Sequence, residues 1–141
     1  MKKNVLLVAL LLIASSFSME SMAQKNLLDV VKKCEASDSE TVSMNIIRNR
    51  NSEKKVTNMV ITIKISGNKE LVNDFLEAAK KDEPDAVNSI SKKVGKTTYP
   101  SHYEFDTGIS FLFSGNKDDK GDVNDGYLKV TVIGKDGADI D

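Results

Sequence analysis

The sequence predicts an α+β domain: a four-stranded antiparallel sheet made of two β-hairpins, with about three short helices packed on one face. Three observations carry this. Apolar and polar residues alternate with a period of two in four segments, paired about polar turns, as strands with one buried face require. Apolar stripes at helical spacing precede each pair. Alternating strands are covered on one side only, which is the habit of antiparallel sheets.

The elements follow in order. From Asn26 to about Ala36, Leu27, Leu28, Val31 and Cys34 mark a short amphipathic helix. From Glu40 the period becomes two, with Val42, Met44 and Ile46 opposed to Thr41, Ser43 and Asn45. The polar turn "NRNSEKK" leads to a second strand, in which Met59, Ile61, Ile63 and Ile65 alternate with Val60, Thr62, Lys64 and Ser66. "SGNK" breaks that strand, and Asn68 suits the N-cap of a second helix with the stripe Leu71, Val72, Phe75, Leu76 and Ala79, ending near Lys81. Pro84 is expected to open a third helix through Val87, Ile90 and Val94, closed by Gly95. "KTTYPSH" reads as a linker into a long strand whose Tyr103, Phe105, Ile109, Phe111 and Phe113 share one face. After the acidic stretch 117–127 a last strand carries Leu128, Val130 and Val132 together. The closing "GKDGADID" is polar and expected to fray. Whether the two hairpins join in one sheet is left open by these patterns.

The first residues carry an address. Lys2 and Lys3 precede an apolar run from Val5 to Ala14, and Ser21-Met22-Ala23 offers small residues where a signal peptidase cuts. Residues 1–23 are therefore expected to be a cleaved signal peptide, and 24–141 a single domain that is periplasmic or secreted. The apolar run is far short of the roughly 20 residues of a membrane span, so no membrane attachment is expected after cleavage. Removing 23 residues from 141 leaves 118; without Lys2, Lys3 and Glu20 these hold 18 basic and 20 acidic side chains, a net charge of −2. That balance, with basic residues scattered in pairs, gives no footprint for nucleic acid. Cys34 is the single cysteine, so no intramolecular disulfide can form, and its place on the helical stripe makes it a small buried hydrophobe.

The Met-Ala-Gln cleavage region, the short first helix, "YEFDTGISFLFSG" and "YLKVTVIGKDG" resemble a family of small exported proteins of Bacteroidetes, a domain of unknown function. The likeness implies export and an α+β fold. It supplies no activity and no functional residues.

Chemistry is sparsely written. "KDDKGDVNDGY" (117–127) concentrates Asp118, Asp119, Asp122 and Asp125 and invites a calcium reading. Counted from Asp122, however, the glycine of a helix-loop-helix site falls one residue early and Ile133 takes the place of the bidentate glutamate. Counted with Gly121 as that glycine, Lys120 stands where a ligand belongs. Asp, Asn and Gly are also the ordinary residues of hairpin turns, so a turn is the first reading and weak calcium binding by those four aspartates the alternative. His102, beside Ser101, reads as a solvent-exposed linker histidine without a triad geometry. Glu104 and Asp106 are expected on one outward face, as ordinary cross-strand partners. With no catalytic constellation and no cofactor called for, the informative residues are apolar ones facing outward: Ile47, Val60, Leu112 and Ile133. Gathered by the sheet, they would form a patch of the kind that marks partner surfaces. The sequence thus leads to a non-catalytic exported protein that binds a protein partner or itself through the open face of its sheet.

Overall fold

The structure is a computed structural model, and it describes residues 24–37, 40–94, 97–117, 119–120, 122–134 and 139–140. The expected signal peptide, 1–23, lies outside the described residues, as does Asp118. The elements run α1 (Lys25–Ala36), β1 (Val42–Arg50), β2 (Val56–Ile65), α2 (Lys69–Asp82), a single 3-10 turn (Glu83–Asp85), β3 (Asn88–Val94), β4 (Thr97–Glu104), β5 (Ile109–Lys117) and β6 (Val123–Ile133). The strands form one antiparallel sheet in the order β1-β2-β6-β5-β4-β3.

This corrects the four-stranded sheet with three helices. The α+β class stands, but among the described residues the sheet has six strands and the α-helices number two. The expected third helix is a strand. Pro84 sits in the 3-10 turn, and the chain leaves extended at Ala86 (φ −71°, ψ 136°). From there "NSISKKV" pairs with β4, and "KTTYPSH", read as a linker, supplies most of that partner. Residues 90 and 94 suit a helical stripe as well as a strand, and β-branched residues beside serines favour the extended form once a partner strand is at hand. The long aromatic segment is likewise two strands. A turn closed by Phe105 N–H to Ile109 O (3.0 Å) and Gly108 N–H to Phe105 O (3.2 Å) separates them. Gly108 has φ +87°, and a Cβ there would run into the carbonyl oxygen of Ile133. Asp106 belongs to this exposed turn and does not share a strand face with Glu104.

The predicted inward residues of the first two helices and of the strands reach the core or pack against it, whereas Val87 and Ile90, expected on the stripe of the third helix, are exposed. Met59, Ile61, Ile63 and Ile65 of β2, Leu128, Val130 and Val132 of β6, and Tyr103, Phe105, Ile109, Phe111 and Phe113 join Leu27, Val31 and Cys34 of α1 and Val72, Phe75 and Ala79 of α2. The rings of Phe75 and Phe113 stack at 4.7 Å between centroids. Gly126 makes room for this, since a Cβ there would stand 2.8 Å from the Phe113 ring.

The helices start by different means. In α2 Asn68 is the N-cap foreseen from sequence, its Oδ1 accepting from Leu71 N–H (3.0 Å). In α1 no side chain of the local sequence caps the first turn. The acceptor comes from Asp82 at the end of α2, which takes Leu27 N–H on Oδ2 (2.8 Å) and Asn26 Nδ2 on Oδ1 (2.7 Å). A carboxylate is unfavourable at the end of its own helix and favourable at the start of another, so Asp82 fits only because α1 and α2 run in opposite directions. Lys33 and Asp74 (3.3 Å) make a second, exposed tie between them. The tail is docked where it is described: Gly134 N–H bonds Thr57 O and Ile140 N–H bonds Val56 O, both at 2.9 Å. The rest of the segment expected to fray, 135–138 and 141, lies outside the described residues.

Replacing Phe75 by Ala is expected to cost about 3–5 kcal/mol of unfolding free energy, because the cavity opens under a stacked ring; urea denaturation followed by circular dichroism measures it. Burial, the largest influence on Asp82, raises its pKa above the ordinary 3.8 despite the Asn26 and Leu27 hydrogen bonds that lower it. A raised folded pKa means that this contribution to stability is whole below 3.8 and is lost as pH rises through the folded value. Asp82→Asn keeps an acceptor but cannot ionise, so wild type should lose stability relative to this variant as pH climbs above 3.8, read as the difference between their urea midpoints.

Candidate functional site

The helices cover one face of the sheet and leave the other open. The ladders fix which residues meet there. Ile47 stands directly opposite Val60. Val60 in turn faces Thr131, and Ile133 lies two residues further along β6, so Ile47, Val60 and Ile133 adjoin. Leu112 is not part of this group. It is opposite Lys129 on one side and His102 on the other, two strands from Val60 or about 10 Å away. Three of the four expected patch residues are thus brought together, and the fourth is set apart by Thr131 and Lys129.

Leu112 has a neighbour that the sequence reading missed. His102 pairs with Ile90, so Leu112, His102 and Ile90 form one row across β5, β4 and β3. Ile90 is 55% exposed and Leu112 41%, values comparable with Ile47 at 51% and Ile133 at 56%. The assignment of residues 84–94 to a helix hid Ile90. A signal was present, because "SISK" alternates apolar and polar residues as a strand does.

Beside this row the sheet comes apart. The β4–β5 ladder holds three residue pairs, His102–Leu112, Tyr103–Phe111 and Glu104–Ser110. Yet β5 continues to pair with β6 as far as Lys117–Val123, and β4 with β3 as far as Thr97–Val94. Residues 97–101 of β4 and 114–117 of β5 are therefore strand backbone with no ladder to each other. A cleft of about 210 Å³ lies between them, with Pro100 and Ser101 on one wall and Leu112, Ser114 and Gly115 on the other, and Lys92 contributing from β3. The cause is legible in the chain. Pro100 has no N–H to give to a ladder, and proline within a sheet is confined to edges and bulges. It sits at the irregularity of the β3–β4 register, where Ile90 meets His102 but Ser91 meets Pro100 and Ser101 is left over.

His102 is on β4, half-buried, rather than in a linker. Its Nε2 lies 2.9 Å from Glu104 Oε1, a pairing of residues two apart on the same strand face. The ring's hydrogen bond goes to that carboxylate and not to Ser101, so no nucleophile and base are brought together here.

Three of the four aspartates of the calcium alternative, Asp119, Asp122 and Asp125, lie among the described residues. Asp125 Oδ1 accepts the Gly67 N–H at 2.7 Å, Asp122 Oδ1 pairs with Lys69 Nζ at 3.0 Å, and Asn68 N–H bonds Asn124 O at 3.0 Å. The start of β6 is thereby tied to the turn that enters α2, where Gly67 has φ +64°. Asp119 lies in the exposed turn between β5 and β6. Among the described residues no three His, Cys, Asp or Glu side chains gather as a metal site would require. Cys34 is a poor nucleophile: burial, with a smaller push from Asp74, raises its pKa to about 12.

No family model, curated protein or solved structure matches the chain. What the site does must be argued from its own geometry.

Asp125→Ala strips the Gly67 N–H of its acceptor and is expected to cost about 1 kcal/mol. The loss should be the same with millimolar calcium present or with a chelator; a calcium-dependent melting temperature that Asp119→Asn abolishes is what the calcium alternative requires.

Proposed function

We propose that this is an exported binding protein that holds an extended segment of a partner protein in the cleft between β4 and β5. The observation that carries the reading is the interrupted ladder: two strands that diverge after three pairs, inside an otherwise continuous sheet. Backbone without a ladder partner is matched best by another extended backbone, which offers donors and acceptors at the same spacing, and strand addition is a recurrent way of capturing peptides. The cleft also suits alternating side chains. Leu112 and Ile90 give an apolar shelf on the open face, and Lys92 sets a cation at its rim, which favours a segment carrying an acidic residue next to apolar ones. The export address expected from residues 1–23 supports a binding role in the periplasm or outside the cell.

The test uses peptides rather than an unknown partner. A random decapeptide library is panned on the folded protein, and selected peptides are assayed by calorimetry and amide hydrogen exchange. Selected peptides should slow exchange at Gly115, whose N–H faces away from β6 in the alternation set by the Ile133 N–H to Gly108 O bond, and Lys92→Glu, at the exposed rim, should weaken them at least tenfold while the fold is kept. Peptides that protect another part of the sheet, or bind Lys92→Glu equally well, overturn the proposal. A concentration-dependent dimer dissolved by Leu112→Lys, with no peptide selected, would assign the surface to a second copy of the chain instead.

A further inference from the structure

β1 ends the sheet: β2 pairs with one side of it, and among the described residues no strand pairs with the other. The Ser66 N–H to Thr41 O bond (2.8 Å) sets the alternation of the β1–β2 ladder. Thr41, Ser43, Asn45 and Ile47 turn their backbone groups to β2, so Val42, Met44 and Ile46 turn theirs outward. Open edges invite pairing with other chains, and sheets blunt them with bulges, prolines, lysines or short strands. The opposite edge, β3, has such devices: it is seven residues long, carries Lys92 and Lys93, and is irregular between Ile90 and Ser91. β1 has nine residues, neither proline nor lysine, and a regular ladder from Val42 to Asn49. Met44 and Ile46, half-buried against the core, carry the apolar face of the sheet out to this edge.

We infer that β1 joins two copies of this chain, paired antiparallel about a two-fold axis at Met44. The contact does not depend on the peptide-binding cleft, from which β2 and β6 separate it. In that register Met44 faces the second copy's Met44, Val42 faces its Ile46, and Glu40 faces its Arg48.

Backbone, packing and charge agree on this register. All the facing residues are even-numbered, so outward N–H and C=O groups meet, and each facing pair of β1 residues exchanges two hydrogen bonds. Apolar side chains meet apolar ones, and the axis brings Glu40 and Arg48 together twice with opposite sign. Moving the axis to Asn45 keeps the backbone match but sets Val42 against Arg48. Moving it to Ile46 sets Met44 against Arg48. A parallel, in-register pairing stacks Arg48 on Arg48 and Arg50 on Arg50, which is repulsive. An unrelated partner would have to supply all three matches, whereas β1 supplies them to itself. Because the contact is two-fold, each copy spends its β1 edge once, and both ends of the joined sheet are the blunted β3. Assembly therefore closes at the dimer instead of running on as a fibre.

The chain from Gln24 onwards, which contains every described element, is sedimented over a range of concentrations, and its amide exchange is read at both ends of that range. A dimer is expected. Its formation should slow exchange at Val42, Met44 and Ile46 more than at Ser43 and Asn45, which β2 already protects. Met44→Pro removes the N–H at the axis from both copies at once and should weaken association roughly tenfold or more. Arg48→Glu leaves the backbone untouched and sets like charges together; it should also weaken the dimer, and adding Glu40→Arg to it should restore association. Leu112→Lys, on the open face, should leave association unchanged. A monomer at every concentration, a dimer whose protection falls on β3 or the open face, or an Arg48→Glu defect that Glu40→Arg does not relieve overturns the inference.

Discussion

The β2–β6 ladder binds two distant parts of the chain into one molecule. Asn58–Ile65 pairs with Gly126–Ile133 over eight residues, placing the last strand beside the second and between the two hairpins that local sequence can form unaided. Without it β1–β2 would be an isolated hairpin, which is marginal in water. With it, Ile61, Ile63, Val130 and Leu128 form the middle of a continuous apolar floor on which α1 and α2 rest. The Asp125 and Asn124 contacts to the entry of α2 are an extension of the same join.

Much of this was legible. Period-two alternation located β1, β2, β5 and β6, and 3.6-residue stripes located both α-helices, since those patterns follow from which side chains face a single core. Asn68 as an N-cap needed only local chemistry. What local pattern could not give was anything decided at long range. The cap of α1 comes from Asp82, which no window around Gln24 contains. Residues 88–94 satisfy two periods at once, and the choice between them is made by β4, itself disguised as a linker by Pro100 and its polar neighbours. The candidate surface inherited both errors: Ile47, Val60 and Ile133 were correctly foreseen as facing outward, whereas Leu112 finds its companion in Ile90.

Pro100 shows how a residue that breaks a rule can mark a place of interest. A sheet interior tolerates no missing donor, and here the missing donor coincides with the point at which two strands part. The strand beyond, β3, is exposed on both faces over residues 88–93 and lies outside the cover of the helices. The hairpin β3–β4 is therefore held to the body mainly by three pairs to β5 and by Tyr103, whose ring is buried in the core.

The position of β6 in the sheet has a consequence for when the protein can fold. A central strand made from residues 123–133 of 141 means that the sheet has no middle until nearly the whole chain has been delivered. Contacts of such long sequence separation form slowly. Until residues 123–133 are present, β2 and β5 lack the strand that joins them, so the native sheet closes only when synthesis is almost complete. The topology itself then acts as a timer, holding the chain open until its last strand arrives.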